Sequence, residues 1–257
     1  MLSPLNTISK GKIENKTIQV NKITSEFKIL KHIAIIMDGN RRYAKKLKLS
    51  SGKGHEKGAE KLFDVVDWCL EFKIKELTLY TFSMQNFNRQ KSEVKTLFFL
   101  FKKYFTKLKD DKKIHNNRIR IRIIGRTHLF PPDLQKSIRE ITEKTKDYDN
   151  LIINFAMAYG GREEIVDAAK QIAEEVKFSD LNIEEINEKL FSEKLYLNSD
   201  PDIVIRTGGD TRTSNFLPWQ TIYSEWFFTK SLWPEFSKEE FTGILNEFRE
   251  RQRRFGK

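Results

Sequence analysis

Short apolar runs alternate with segments of helical periodicity along most of this chain. Five runs have the length and composition of strands: the start of His32–Tyr43, then Glu76–Phe82, Arg118–Gly125, Leu151–Tyr159 and Asp202–Arg206. Helices are predicted at Ala59–Phe72, Ser92–Lys109, Asp133–Asp147, Glu163–Val176 and Ile183–Phe191. Because strands separated by helices pair in parallel, we predict an α/β fold with a mostly parallel central β-sheet flanked by helices on both faces.

The length of the chain favours a single domain. With 257 residues, 39% of them hydrophobic, it can bury one large core rather than two small ones. Residues 1–30 carry scattered lysines and isolated aliphatic side chains, so we predict a partly disordered extension there and the folded domain over residues 31–257. The run Leu97–Phe101 is too short to span a bilayer, so any membrane contact is expected to be peripheral.

Charge and cysteine content narrow the classes of protein further. A net charge of +11, from 47 basic and 36 acidic residues, indicates anionic partners: nucleic acid, a membrane surface or phosphorylated small molecules. The single cysteine, Cys69, excludes a disulfide framework and a structural zinc site, and we predict a cytoplasmic protein.

The stretch His32–Tyr43 carries the first candidate site. Its apolar run ends in Asp38, Gly39 and Asn40, which are typical of a strand that turns into a helix, and two arginines follow, Arg41 and Arg42. Backbone N–H groups and guanidinium groups at such a turn bind anions, and a carboxylate beside bound phosphates often holds magnesium. From these residues alone, an ordinary strand, turn and helix with a capping aspartate is an equal alternative.

Two further loops offer polar groups. The glycine-rich segment 50–58 lacks the spacing of a nucleotide-binding P-loop, although His55 could contribute to an anion pocket or only cap a helix. Ser83, Asn86 and Arg89 follow the second predicted strand, where a plain connecting turn is the alternative. The phenylalanine-rich helix Ser92–Lys109 is predicted to be core, with the wall of an apolar tunnel as the alternative.

A second charged cluster follows the strand Asp202–Arg206. Arg206, two glycines, Arg212 and Ser214 together have the donors of a diphosphate receptor, with a charged turn as the alternative. Glu225 lies among aromatic residues, where an unpaired carboxylate is costly, so a cation or metal partner is plausible.

These segments together resemble a cis-prenyltransferase, the undecaprenyl or polyprenyl diphosphate synthase family, over residues 31–257. The matching blocks follow the family's order: His32–Tyr43, Gly54–Gly58, Leu79–Arg89, Arg118–Gly125, Asn154–Arg162, Ile205–Phe216, Tyr223–Phe236 and Arg254–Gly256. The Asp-Gly-Asn-Arg-Arg-Tyr form is more similar to archaeal or eukaryotic members than to bacterial ones.

The resemblance implies Mg²⁺-dependent addition of isopentenyl diphosphate to an allylic diphosphate primer, farnesyl or geranylgeranyl, with new cis double bonds. The product would be a long-chain polyprenyl diphosphate, the precursor of a glycosyl carrier lipid. The family's catalytic positions correspond to Asp38 and Asn86, and its metal positions to Asp38 and Glu225. The allylic diphosphate would be bound by Gly39, Asn40, Arg41, Arg42, Tyr43, His55, Ser83, Phe87 and Arg89. Isopentenyl diphosphate would be bound by Arg206, Arg212, Ser214, Arg254 and Gly256.

The family pattern also predicts a homodimer, with the terminal Arg254–Gly256 segment reaching the partner's site, and a tunnel along Ser92–Lys109. Product length would be set near Lys102–Ile114. Ser51 stands where an arginine is common, and Lys53 or Arg41 could supply the missing charge. Three alternatives remain: a different small phosphorylated acceptor, a subunit of a heteromeric synthase, and a basic nucleic-acid-binding protein. The chain lacks any recognised nucleic-acid-binding motif, so we expect no nucleic acid partner.

Overall fold

The computed structural model describes residues 30–179 and 181–251. The predicted disorder of the N-terminal extension therefore lies outside the described residues, except for Leu30. The predicted binding positions Arg254 and Gly256 lie outside them as well.

The described part of the chain forms a single α/β domain around one six-stranded sheet. The strands are β1 (His32–Ile36), β2 (Glu76–Ser83), β3 (Ile119–Ile124), β4 (Leu151–Tyr159), β5 (Ile203–Arg206) and β6 (Glu225–Phe228). Their order is β3-β4-β2-β1-β5-β6, and every neighbouring pair is parallel. The predicted fold class is confirmed.

Helices cover both faces of this sheet. They are α1 (Asn40–Lys46), α2 (Ser51–Glu71), α3 (Lys91–Lys109), α4 (Lys112–Asn116), α5 (Pro132–Thr145), α6 (Gly161–Phe178), α7 (Glu188–Lys194) and α8 (Lys238–Glu250). Alternate residues of β1 enter different cores. Ile33 and Ile35 pack with α2, α3, α5 and α8, while Ala34 and Ile36 belong to a smaller core on the other face. No described helix is long and apolar enough to cross a membrane.

Two sequence predictions about helices are wrong. The helix predicted at Ala59–Phe72 begins already at Ser51, because the side chain of Ser50 accepts a hydrogen bond from the Lys53 backbone N–H at 3.4 Å. The helix predicted at Ile183–Phe191 is divided into a 3₁₀ turn, Ile183–Glu185, and α7, since Asn187 caps α7 by accepting from the Leu190 N–H at 3.0 Å.

Glycines in α2 serve close helix packing. A Cβ at Gly58 would lie 2.2 Å from Asn40 Oδ1, and one at Gly54 would lie 2.3 Å from the Asn40 carbonyl oxygen. The glycine-rich segment therefore lets α2 approach α1, and it forms no phosphate-binding loop of its own.

The sheet order reverses beside β1. The chain passes from β1 to β2 on one side and later returns to place β5 on the other side. In open parallel sheets, the carboxyl ends of the strands at such a switch point form a crevice that binds ligands.

Candidate active site

Asp38 follows β1 and lies in the crevice between β1 and β5. Its carboxylate accepts a hydrogen bond from Arg206 at 2.8 Å and lies 3.1 Å from Arg42 Nη2. Arg42 also donates to the carbonyl oxygen of Gly208 at 2.6 Å. These contacts join the loop after β1 to the loop after β5, so the two predicted charged clusters form one site.

Two glycines permit this close approach. Gly39 has φ +113°, and a Cβ there would lie 2.9 Å from the Leu232 backbone. Gly208 has φ +92°, and a Cβ there would lie 2.6 Å from Arg42 Nη2. Both positions combine a left-handed backbone with a close neighbour, so they favour glycine.

The environment of Asp38 keeps it ionised. Burial raises the pKa of this carboxyl, but the hydrogen bond from Arg206 and the charge of Arg42 outweigh burial and hold the pKa below its usual value. About 29% of the Asp38 side chain is exposed, toward the pocket, so a charged carboxylate faces the ligand space.

The loop after β5 adds donors to the same wall. Arg206, whose side chain is only 3% exposed, donates to Ser214 Oγ at 2.7 Å and to the Arg212 carbonyl oxygen. Arg212 forms two 3.0 Å contacts with the Asp210 carboxylate. The three predicted isopentenyl-diphosphate residues in the described chain, Arg206, Arg212 and Ser214, therefore lie together.

The opposite wall contains a network centred on Glu93. The carboxylate of Glu93 accepts a hydrogen bond from Arg89 at 3.0 Å and lies 3.4 Å from His55 Nε2 and 4.0 Å from Arg41 Nη1. Burial and the charge of Arg89 lower the pKa of His55, so the imidazole is neutral at neutral pH. One carboxylate thus lies among three predicted diphosphate-binding side chains and holds Arg89 most directly.

These walls enclose a polar pocket of about 590 Å³. Most predicted site residues line it: Asp38, Asn40, Arg41, His55, Ser83, Asn86, Arg89, Arg206, Arg212 and Ser214. Gly39 and Arg42 line an adjoining depression that shares several of these residues. Asn86 Oδ1 accepts a hydrogen bond from the Ser83 backbone N–H at 3.1 Å, which fixes the amide at the pocket edge.

An apolar cavity of about 120 Å³ adjoins the polar pocket. It runs between α2, α3 and the sheet, and Leu100, Phe101 and Phe105 belong to its α3 wall. Five residues line both spaces: Met37, Asn40, His55, Thr81 and Leu97. The predicted helix therefore contributes to the core and to a cavity wall at once.

Three predicted site residues lie elsewhere. Tyr43 lines neither the pocket nor the cavity. Phe87 packs against the rings of Phe82, Phe98 and Phe130, with centroids 4.9, 6.2 and 6.0 Å away. The third is Glu225.

Glu225 begins β6, at the end of the sheet away from Asp38. It pairs in register with Ile203, whereas Arg206, which contacts Asp38, pairs with Phe228. The carboxylate of Glu225 instead accepts a hydrogen bond from Arg251 at 2.7 Å. The predicted pairing of Asp38 and Glu225 at one magnesium ion is therefore not formed within one chain.

Sequence reasoning missed several pocket residues. It also missed Glu93, in the first turn of α3, which does not line the pocket but pairs with Arg89, and the four-residue separation of these opposite charges was the available signal. Tyr80 and Thr81 enter the pocket wall from β2, and Asn215 from the loop after β5. Of the two candidates to replace the arginine absent at Ser51, Arg41 lines the pocket, while Lys53 pairs with Glu56 at 2.7 Å outside it.

Comparison with known proteins gives consistent matches. The prenyltransferase family model described as undecaprenyl diphosphate synthase matches residues 36–256. The chain is 48% identical over 229 residues to a tritrans,polycis-undecaprenyl-diphosphate synthase (geranylgeranyl-diphosphate specific) of Pyrococcus horikoshii, covering 88% of this chain and 87% of that protein. It is 43% identical over 234 residues to the protein of the same name from Methanopyrus kandleri, covering 90% and 86%.

Solved structures give the same result. Lavandulyl diphosphate synthase from Lavandula x intermedia, solved with dimethylallyl diphosphate, superposes with a TM-score of 0.84 at 33% identity, over 88% of this chain and 98% of that one. A Campylobacter jejuni protein described as a "probable undecaprenyl diphosphate synthase" superposes with a TM-score of 0.75 at 35% identity, over 90% of this chain and 100% of that one.

Proposed function

Because the chain belongs to the undecaprenyl diphosphate synthase family of prenyltransferases, we propose that it elongates an allylic diphosphate by successive cis additions of isopentenyl diphosphate. It is therefore a transferase. The product would be a long-chain polyprenyl diphosphate of the kind that serves as precursor of a glycosyl carrier lipid.

One observation carries this proposal: a cationic pocket adjoins an apolar cavity, and the two spaces share lining residues. Arg41, Arg89 and Arg206 line the pocket, while Leu100 and Phe105 line the cavity. An allylic diphosphate has the same two parts, a diphosphate head and a hydrocarbon chain. The head would bind in the pocket and the chain would extend between α2 and α3, where burial of its apolar surface is favourable.

The pocket has donors for two diphosphates on opposite walls. Arg41, His55 and Arg89 would bind the allylic diphosphate near the N-terminus of α1, whose backbone N–H groups favour anions. Arg206, Arg212 and Ser214 would bind isopentenyl diphosphate beside β5. This arrangement holds the two reacting carbons near each other, which lowers the entropic barrier to their reaction.

The chemistry requires the leaving diphosphate to be stabilised. The allylic C–O bond breaks with its electron pair leaving on the diphosphate, the isopentenyl double bond forms the new C–C bond, and a proton leaves the isopentenyl unit. Guanidinium groups stabilise the developing negative charge. An amide is too weak a base to keep a proton, so Asn86 would orient the departing proton and a diphosphate oxygen would accept it.

The residues present fit a magnesium ion bound mainly through substrate. Mg²⁺ commonly takes one or two protein carboxylates, with phosphate oxygens and waters completing its shell. Asp38 is an ionised carboxylate that faces the pocket, and no group of three potential ligands forms a closed metal site among the described residues. When bound there, magnesium would neutralise the charge of the leaving diphosphate.

A homodimer would account for the exposed apolar side chains at the β6 edge of the sheet. Ile222, Tyr223 and Phe228, which flank or belong to the edge strand β6, are 73%, 68% and 41% exposed. Exposed apolar residues beside a strand at the edge of the described sheet are typical of an interface. Glu225 lies in the same segment, so we expect it to act at that interface rather than in its own chain's pocket.

The relatives' names favour geranylgeranyl diphosphate as primer. The test is elongation by purified protein with magnesium and radiolabelled isopentenyl diphosphate, with geranylgeranyl or farnesyl diphosphate in parallel. We expect long butanol-extractable chains with geranylgeranyl diphosphate and a loss of at least about 100-fold in Asp38→Asn. Absence of elongation with both primers would contradict the proposal and indicate a missing partner subunit or another acceptor.

A further inference from the structure

Three large apolar side chains are exposed just before α2 and midway along α3. Leu47 and Leu49, which precede α2, are 48% and 43% exposed, and Phe99 on α3 is 66% exposed. Phe99 lies on the solvent side of α3, next to Leu100, which is buried at the cavity. The helix α3 therefore has an apolar cavity on one side and an exposed aromatic ring on the other.

Lysines surround these apolar side chains. We define the basic patch as Leu47, Leu49 and Phe99 together with the exposed lysines Lys45, Lys46, Lys48, Lys53, Lys91, Lys95, Lys102 and Lys103. Carboxylates lie within 4.0 Å of four of them: Lys46, Lys53, Lys102 and Lys103. The other four have no carboxylate within that distance among residues 30–179 and 181–251. The patch thus has an excess of positive charge.

Direct contacts join the two segments of the patch. A Cβ at Gly52 in the first turn of α2 would lie 3.1 Å from the Thr96 side chain, which is one turn before Phe99 on α3. One turn further along, Lys103 donates to Glu56 on α2 at 3.1 Å. The start of α2 and the solvent side of α3 are therefore neighbours on the surface.

A second exposed apolar region has carboxylates beside it as well as a lysine, Lys177, whose Nζ lies 4.7 Å from the centroid of the Phe178 ring. Phe178 at the end of α6 is 75% exposed and Ile183 is 68% exposed. Two carboxylates, Glu184 and Glu185, immediately follow Ile183. This region supplies a comparison, because its apolar side chains are as exposed, while the lysine beside Phe178 is accompanied by acidic residues in the neighbouring sequence.

We propose that the basic patch docks on an anionic lipid bilayer, with Phe99 entering the headgroup region and the lysines contacting the lipid phosphates. Exposed Phe and Leu side chains within a lysine-rich surface are the pattern of interfacial membrane binding. An acidic protein would also match the charge. The choice of a bilayer rests on the proposed function, because a long polyprenyl product partitions into lipid and α3 carries Phe99 of this patch next to Leu100, which lines the cavity.

The first test measures where the protein meets the vesicle. The native Cys69 is fully buried and its burial raises its pKa, so an environment-sensitive dye can be attached selectively to Phe99→Cys or, as the matched control, to Phe178→Cys. With phosphatidylglycerol/phosphatidylcholine vesicles, we expect a blue shift at position 99 and none at position 178. Pure phosphatidylcholine should give no shift at either position.

The second test measures affinity by vesicle sedimentation. We expect Phe99→Ser to lower the partition coefficient by about tenfold, and raising salt from 0.1 to 0.5 M to lower it at least about threefold. Sedimentation with an unshifted dye at position 99 would overturn the proposed surface. A shift with polyglutamate but not with vesicles would overturn the bilayer in favour of an acidic protein.

Membrane binding and catalysis are separable in these experiments. Asp38→Asn should lose elongation and still bind vesicles as the wild type does. Failure of elongation with intact vesicle binding would contradict only the proposed function, whereas full elongation without vesicle binding would contradict only the docking surface.

Discussion

Single residues determine how charge is distributed across the pocket. Asp38 is held between Arg206 and Arg42, and Glu93 is held among Arg89, His55 and Arg41. Each carboxylate fixes guanidinium groups whose remaining donors can reach a ligand. Cations that are already oriented lose less conformational freedom when a diphosphate binds.

Arg41 is predicted to replace the guanidinium that Ser51 lacks. Because Arg41 lines the pocket, Arg41→Ala should raise KM for the allylic diphosphate about 10- to 100-fold through loss of a charged hydrogen bond of about 1.5–3 kcal/mol. Lys53→Ala is the matched control, since Lys53 pairs with Glu56 outside the pocket, and its KM should stay unchanged. Steady-state kinetics with varied primer measures both, and equal effects would refute the replacement.

His32 is predicted to make stability depend on pH. Burial lowers the pKa of His32, and the charge of Arg122 lowers it further. The charges of Glu76 and Asp202 oppose this shift but do not cancel it. The imidazole Nε2 lies 2.8 Å from Thr78 Oγ1. The unfolded chain therefore binds this proton at a higher pH than the folded protein, and stability falls as pH decreases below about 6.5, by up to about 1.4 kcal/mol per unit.

Urea unfolding at pH 7.5 and 5.5 measures this dependence. The free energy of unfolding should fall more in the wild type than in His32→Gln, by about 1 kcal/mol or more across this interval. Identical pH dependence in the two proteins would show that His32 is not the titrating group.

At the scale of elements, helix packing positions the N-terminus of α1. Gly58→Ala should destabilise the fold by about 1–3 kcal/mol, because its Cβ would lie 2.2 Å from Asn40 Oδ1 and 2.9 Å from Trp233 Cδ1. Gly243→Ala is the control, since a Cβ at Gly243 would have no neighbour within 4 Å among the described residues. The higher helix propensity of alanine should stabilise the fold by about 0.5–1 kcal/mol. Thermal unfolding distinguishes them, and a stabilised Gly58→Ala variant would contradict the packing argument.

The short helix α4 closes the far end of the apolar cavity. Ile114 is 3% exposed and lines the cavity, and Lys113 bridges to α2 through two 2.8 Å contacts with Asp67. Lys113→Met should loosen this closure, so that more chains grow one C5 unit beyond the main product. The ratio of the longer product to the main product should rise about two- to fivefold, which corresponds to the loss of one exposed ion pair.

The control for this change is Lys109→Met. It breaks a similar ion pair, Lys109 with Glu140 at 3.0 Å, but Lys109 does not line the cavity. Chain-length analysis of both variants measures the effect. The same product distribution in Lys113→Met and in the wild type would contradict a role for α4 in closing the cavity.

Regular elements were easier to predict from sequence than the contacts between them. Leu151–Tyr159 was predicted with its observed bounds, since a long apolar run of strand-forming residues leaves little choice. The role of Gly58 depends on α1, which packs against it, and the place of Glu225 depends on strand register. Both are set by tertiary structure, so local patterns did not reveal them.

For the whole molecule, the sheet order brings the separate site segments together. β1 lies between β2 and β5, so the loops after all three strands face one crevice, although Asp38 and Arg206 are far apart in sequence. The helices α2 and α3 then enclose the apolar cavity below that crevice. Our central claim is that pocket and cavity bind the two parts of one substrate.

The product chain length of Leu100→Trp tests this claim most directly. Leu100 is 8% exposed and lines the cavity, while its neighbour Phe99 is 66% exposed on the other side of α3, so Phe99→Trp is the matched control. In a detergent-solubilised assay, we expect Leu100→Trp to bind primer normally and stop several C5 units short, and Phe99→Trp to give wild-type products. Full-length products from a folded Leu100→Trp variant would show that the growing chain does not occupy this cavity.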